Sequence, residues 1–169
     1  PNNTVLLLKK AQILASSNKI KRAMEILAEI ERMEPDNTEL FLTKGAIYSQ
    51  LKKYEKAIEE YNKALREAED LEEIYSNIAF EYENLGKYEK ALEYLKKVLE
   101  INEDNEGIIF EISFCYEIMD NNEEAIRFFT AHLDKNPYAR AAWFNLGIAY
   151  SNIDEYEKAI DAYDYCLAI

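Results

Sequence analysis

The 169-residue chain carries 33 acidic side chains against 20 basic ones, a net charge of −13, and 49% of its residues are apolar or tyrosine. That apolar share excludes a disordered chain. The acidity argues against nucleic acid and anionic membrane surfaces, whose binding draws on Lys and Arg, and no apolar run is long enough to insert in a bilayer.

Gly and Pro are scarce, at 4 and 3 copies, and the abundant Glu, Lys, Leu, Ile and Ala favour helix because straight-chain residues lose little rotamer freedom there. Taken from the N-terminus, AQILASSNKIKRAMEILAEIE starts at Ala11, GAIYSQLKKYEKAIEEYNKAL at Gly45 and AFEYENLGKYEKALEYLKKVL at Ala79. SFCYEIMDNNEEAIRFFTAHL follows from Ser113 and GIAYSNIDEYEKAIDAYDYCL from Gly147. Each string begins 34 residues after the one before it, without insertion or deletion. The register defines repeats 4–37, 38–71, 72–105 and 106–139 and a truncated fifth, 140–169, expected to stack as a single domain. Apolar residues recur at spacings of three and four, as in Ala91, Leu92, Leu95, Val98 and Leu99, so each repeat is predicted to hold two helices, A and B. In the third these run from Glu73 to Asn84 and from Tyr88 to Ile101, joined by Leu85-Gly86-Lys87. Pro35-Asp36-Asn37, Asn102 to Asn105 and Asn136-Pro137 close repeats, with proline opposing continuation of helix B.

The columns of this register resemble the tetratricopeptide repeat family. Alanine fills the twentieth place of every repeat: Ala23, Ala57, Ala91, Ala125 and Ala159. The eighth place is small: Ala11, Gly45, Ala79, Ser113 and Gly147. These two columns are expected where helices A and B approach most closely, since a large side chain would force them apart. Tyr48, Tyr82, Tyr116 and Tyr150 share the eleventh place, and Trp143 to Tyr150 reads W-x-x-L-G-x-x-Y, the helix A signature of that family. The resemblance covers Thr4 to Ile169 and implies an all-α, right-handed superhelix of five helix-turn-helix repeats. Lys10 and Lys44 depart from it where leucine is usual, and so does Leu14 at the first repeat's eleventh place. The apolar face of the last helix, with Ala159, Ile160, Tyr163, Cys166 and Leu167, is expected to be partly bare, as though the natural chain continued.

Catalytic patterns are weak. His132, the one histidine, falls on a helix B packing position and has no Ser, Cys or Asp partner at a recognisable spacing. The stretch Asn102 to Gly107 has the glycine of a calcium loop, but Ser113 stands where the bidentate Glu is required. Cys115 and Cys166 lie far apart, without metal spacing, and are expected as reduced, buried thiols. No enzyme activity, cofactor or metal is expected.

In the resembled family the A helices line a concave groove, and the implied groove residues are Leu42, Ser76, Asn77, Phe80, Glu83, Phe110, Glu111, Phe114, Glu117, Phe144, Asn145 and Ile148. Asn77 and Asn145 stand where the family often bonds a peptide backbone. Lys9 is the one cation among the groove positions, which argues against clamping the terminal carboxylate of a chaperone tail. An aromatic strip, Phe80, Phe110, Phe114 and Phe144, bordered by acids, suits a protein or peptide of apolar and basic character. The expected function is therefore a non-catalytic protein-binding scaffold, in a cytoplasmic setting. The alternatives are a structural spacer or self-association module, with a homodimer through the exposed C-terminal helix, or the regulatory segment of a larger protein.

Overall fold

The computed structural model describes residues 2–169. Among these residues there are ten α-helices and no strand: α1 (Asn2–Ser16), α2 (Ile20–Met33), α3 (Thr38–Gln50), α4 (Tyr54–Ala64), α5 (Glu72–Asn84), α6 (Tyr88–Ile101), α7 (Glu106–Ile118), α8 (Asn122–Lys135), α9 (Arg140–Asn152) and α10 (Tyr156–Ala168). The fold is all-helical, with odd-numbered helices as the A helices of the 34-residue register and even-numbered ones as the B helices. Helix α4 departs from the expected length, with 11 residues against 14 in α6. It gives way to a turn after Ala64, and the Asp70 carboxylate then accepts from the Glu72 backbone N–H at 3.1 Å.

The turns explain why the repeat is so regular. The fifteenth place of every repeat adopts positive φ: Asn18 at 59°, Lys52 at 57°, Gly86 at 66°, Asp120 at 50° and Asp154 at 61°. This left-handed residue stops helix A and reverses the chain. Glycine meets it without a Cβ penalty, and Asn and Asp tolerate it. Entry into an A helix uses another column. Asn37 Oδ1 accepts from Leu40 N at 2.9 Å and Asn105 Oδ1 from Ile108 N at 3.2 Å, each capping donors left open by the first helical turn.

The chain forms two compact bodies, one ending at Leu85 and one spanning Gly86–Ile169. In the first, α1 packs on α2 and α3, and α4 packs between α3 and α5. Its centre holds Leu27, Ile30, Leu40, Ile74 and Ile78, all essentially without exposure. In the second, α6 packs on α7, α9 packs on α8 and α10, and the A helices α7 and α9 lie together. Leu95, Val98, Ile109, Ile112 and Phe129 are buried there.

The small eighth column has a partner more specific than the alanine at place twenty. A Cβ built on Gly45 would fall 2.6 Å from Tyr61 Cδ1, and one on Gly147 would fall 2.5 Å from Tyr163 Cε1. Both tyrosines occupy the twenty-fourth place, on helix B. The first repeat has alanine and leucine at these two positions, Ala11 and Leu27, and the fourth has Ser113 and Phe129. Glycine stands where the large phenol ring must lie against the backbone of helix A. Overfilling such a contact costs about 1–3 kcal/mol. Gly45→Ala should therefore lose about that much stability in urea unfolding, and Gly45→Ala with Tyr61→Leu should recover part of it, because it copies the alanine–leucine combination of the first repeat.

Candidate functional site

The A helices α5, α7 and α9 carry the exposed phenylalanines. On α7, Phe110 and Phe114 are one turn apart and each 46% exposed, and Phe144 on α9 is 41% exposed. Phe110 and Phe144 meet edge to face with ring centres 6.1 Å apart. Phe114 packs edge-on against Tyr88 of α6 at 6.2 Å, and Phe144 touches Tyr163 at 6.0 Å. Each ring is thus held on one side by its own fold and open on the other, which fixes its orientation without covering it. Ile148, one turn beyond Phe144, is half-buried, while Glu111 and Glu117 are exposed on α7. Desolvation lifts the Glu111 carboxyl above the ordinary range.

In the N-terminal body, Phe80 is 54% exposed on α5. Leu42, Ser76, Asn77 and Glu83 are half-buried. Ser76 Oγ donates to the Glu72 carbonyl at 2.9 Å, turning the hydroxyl onto its own helix. Beside Leu42, the α1–α3 face is polar: Gln12 Nε2 donates to Glu39 Oε1 at 3.0 Å and to Thr43 Oγ1 at 3.3 Å. A cavity of about 250 Å³ there is lined by Gln12, Glu39, Leu42, Gln50 and Glu73 among others.

Asn145 requires correction. It is 2% exposed, and its amide nitrogen donates to the Ala141 carbonyl at 2.8 Å. Ala141, one turn earlier, is also buried, so this edge of α9 belongs to packing and Asn145 does not present its amide donor to a peptide backbone. The cysteines also differ from each other. Cys115 is buried, but Cys166, on the last helix, is only half-buried, with its Sγ 3.6 Å from the Arg140 carbonyl. Lys44, which stands where the family usually has leucine, is 7% exposed and reaches Glu31 at 2.7 Å. His132 stacks on Phe128 with centres 6.2 Å apart. Its Nε2 is buried without a hydrogen-bond partner, and desolvation holds its pKa below the ordinary histidine value. The neutral ring therefore serves packing at pH 7. On α10, Ile160 and Leu167 are exposed.

Glu81 is a buried acid that the repeat pattern contained but the sequence reading passed over. The tenth place holds Ile13, Ile47, Cys115 and Ala149 in the other repeats, whereas Glu81 is 1% exposed with Oε2 unpartnered. Desolvation raises its pKa above the ordinary value, and a hydrogen bond from Ser49 only partly offsets this. Burial, with the charges of Glu81 and Glu73, likewise drives the Tyr61 phenol upward, so it stays protonated at neutral pH. Because the folded state binds the Glu81 proton more tightly than the unfolded chain, ionised Glu81 destabilises the fold above its raised pKa. The cost falls away as pH drops toward the ordinary Glu value. Glu81→Gln should raise the melting temperature by about 2–4 °C at pH 8, and this gain over the parent should shrink at pH 5, as differential scanning calorimetry at both pH values would measure.

Among the described residues no group of three or more His, Cys, Asp or Glu side chains is arranged to hold a metal ion, and no helix is long and apolar enough to cross a membrane.

Ten helices in a strict 34-residue register, joined by left-handed turns, define a helix-turn-helix repeat protein. Profiles of the tetratricopeptide repeat match residues 72–105 and 119–169, and a TPR repeat profile matches 45–86. The chain belongs to the tetratricopeptide repeat family. Among solved structures it is similar to YrrB, a TPR protein with an unusual peptide-binding site, at 23% identity and a TM-score of 0.67, over 96% of this chain and 84% of that one. It is also similar to MamA, at 17% identity and a TM-score of 0.72, over 98% of this chain and 90% of that one. A MamA structure designated AMB-1 gives 19% identity and a TM-score of 0.68, over 99% and 91% of the two chains. At these identities the likeness is one of fold. No curated protein matches the chain.

Proposed function

We propose that the chain is a non-catalytic interaction scaffold that captures an apolar, basic-flanked protein segment on its A helices, with Phe110, Phe114 and Phe144 as anchors. One observation carries this reading. Three large rings on α7 and α9 are each more than 40% exposed, although neighbouring rings hold them in place. Aromatic groups pre-positioned in this way lose little entropy on binding and supply most of the energy of peptide interfaces. Glu111 and Glu117 border the same helix face and favour a segment with basic flanks. Phe80, Leu42 and Asn77 offer a similar but more polar surface in the N-terminal body. The YrrB likeness is consistent with peptide capture by this fold.

Selection from a displayed peptide library should enrich sequences that pair an aliphatic or aromatic residue with Lys or Arg. The strongest of them should bind Phe110→Ala/Phe114→Ala at least about thirtyfold more weakly, the loss of about 2 kcal/mol expected for one anchor, with helicity unchanged by circular dichroism. Equal affinity for parent and double variant in isothermal titration would remove the groove assignment.

A further inference from the structure

A cavity lies on the other side of α9 from the exposed phenylalanine rings. It has a volume of about 300 Å³ and opens among α8, α9 and α10, with Trp143, Tyr150, Tyr165, Ala162, Asp134 and Asp161 among the residues that line it. Helical geometry puts Trp143 and Tyr150 about 120° or more around α9 from the midpoint of Phe144 and Ile148. The Trp143 and Tyr165 rings stack at 4.6 Å with an interplanar angle of 21°, and Trp143 Nε1 donates to the Pro137 carbonyl at 2.8 Å. The aromatic wall is therefore fixed in place.

The preceding repeat shows what the same position holds when it is filled. Thirty-four residues before Tyr150 and Ala162 stand Tyr116 and Phe128, whose ring centres are 6.2 Å apart. Lys96 covers both rings, with Nζ 5.5 Å from the centre of Tyr116 and 5.3 Å from that of Phe128. Thirty-four residues further along, the ring becomes Ala162 and the lysine becomes Thr130, which also lines the cavity. The planar group that fills this place in the preceding repeat is missing here, and Thr130 stands where Lys96 does. One cation lines the cavity, Lys158, whose Nζ lies 3.2 Å from Glu155 and 5.6 Å from the centre of the Tyr150 ring. Among the described residues, no ion pair joins Asp134 or Asp161 to a basic side chain.

We infer that this cavity receives an arginine side chain of a partner protein. Guanidinium supplies the missing plane and brings a positive charge to Asp134 and Asp161 in one group. It stacks on aromatic faces and forks to carboxylates, which an ammonium group cannot do.

The test uses the blocked tripeptide acetyl-Gly-Arg-Gly-amide, its citrulline isostere and the single tryptophan, Trp143, read by fluorescence and by its indole N–H resonance. The arginine peptide should give a saturable shift, and the neutral citrulline peptide should bind roughly tenfold more weakly. Ala162→Phe and Thr130→Lys, which copy Phe128 and Lys96, should each abolish the shift. Thr130 is exposed, so its variant keeps the test decisive if Ala162→Phe fails to fold. Phe110→Ala/Phe114→Ala should leave the shift unchanged, so this site can stand or fall apart from the A-helix groove. Absence of a saturable shift, equal response to citrulline, persistence of the shift in Thr130→Lys, or its loss in the phenylalanine double variant would each overturn the inference.

Discussion

The distance between helix A and helix B within a repeat is the constraint on which the remaining structure depends. It is set where a helix B side chain lies against the backbone of helix A, and two glycines show how little room remains there: any Cβ would enter the ring of Tyr61 or Tyr163. Packed interiors do not adjust smoothly to an extra carbon. The contact therefore fixes how far each A helix stands from its B helix, and so where the outward rings of the A helices point. Phe144 shows the link most directly, because its ring touches Tyr163, the same residue that presses on Gly147. Structural packing and the proposed recognition surface share that tyrosine.

Much of this was legible in the chain because a fixed period turns a sequence into columns. The alanines of place twenty, the small residues of place eight and the tyrosines of place eleven gave the repeats and their helices without reference to coordinates. Columns report chemistry only when their members resemble one another. The left-handed turn at place fifteen is occupied by Asn18, Lys52, Gly86, Asp120 and Asp154, and only Gly86 announces that conformation. Helix α4 ends early although no proline or glycine stands near Ala64 to mark the end. The partner of each small residue was also hidden. Ala57 and Tyr61 lie one turn apart on α4, and the register alone does not say which of them reaches Gly45.

The candidate site was partly legible for a similar reason. The groove positions implied by the family resemblance include Phe110, Phe114 and Phe144, and all three rings are exposed. Asn145 shares its column with Asn77, yet the two are not equivalent: one is buried and bonded to Ala141, the other half-buried. Neighbouring helices decide how much of an edge is covered, and a single repeat does not encode its neighbours. Glu81 could have been found, since one carboxylate among Ile13, Ile47, Cys115 and Ala149 breaks its column, and burial of such a group without full hydrogen bonding is costly. The cavity walled by Trp143 and Tyr165 could not, because it arises from the absence of bulk at Ala162 and Thr130 and becomes visible only beside the filled position of Phe128 and Lys96.

The central claim is that partner segments rest on rigidly presented phenylalanine rings of the A helices. The most direct measurement is an isotope-filtered NMR experiment on the complex with a library-selected peptide, which detects contacts between peptide protons and the protein's aromatic rings. The account predicts strong intermolecular contacts to Phe110, Phe114 and Phe144. A bound peptide that gives contacts elsewhere on the surface and none to these three rings would contradict it.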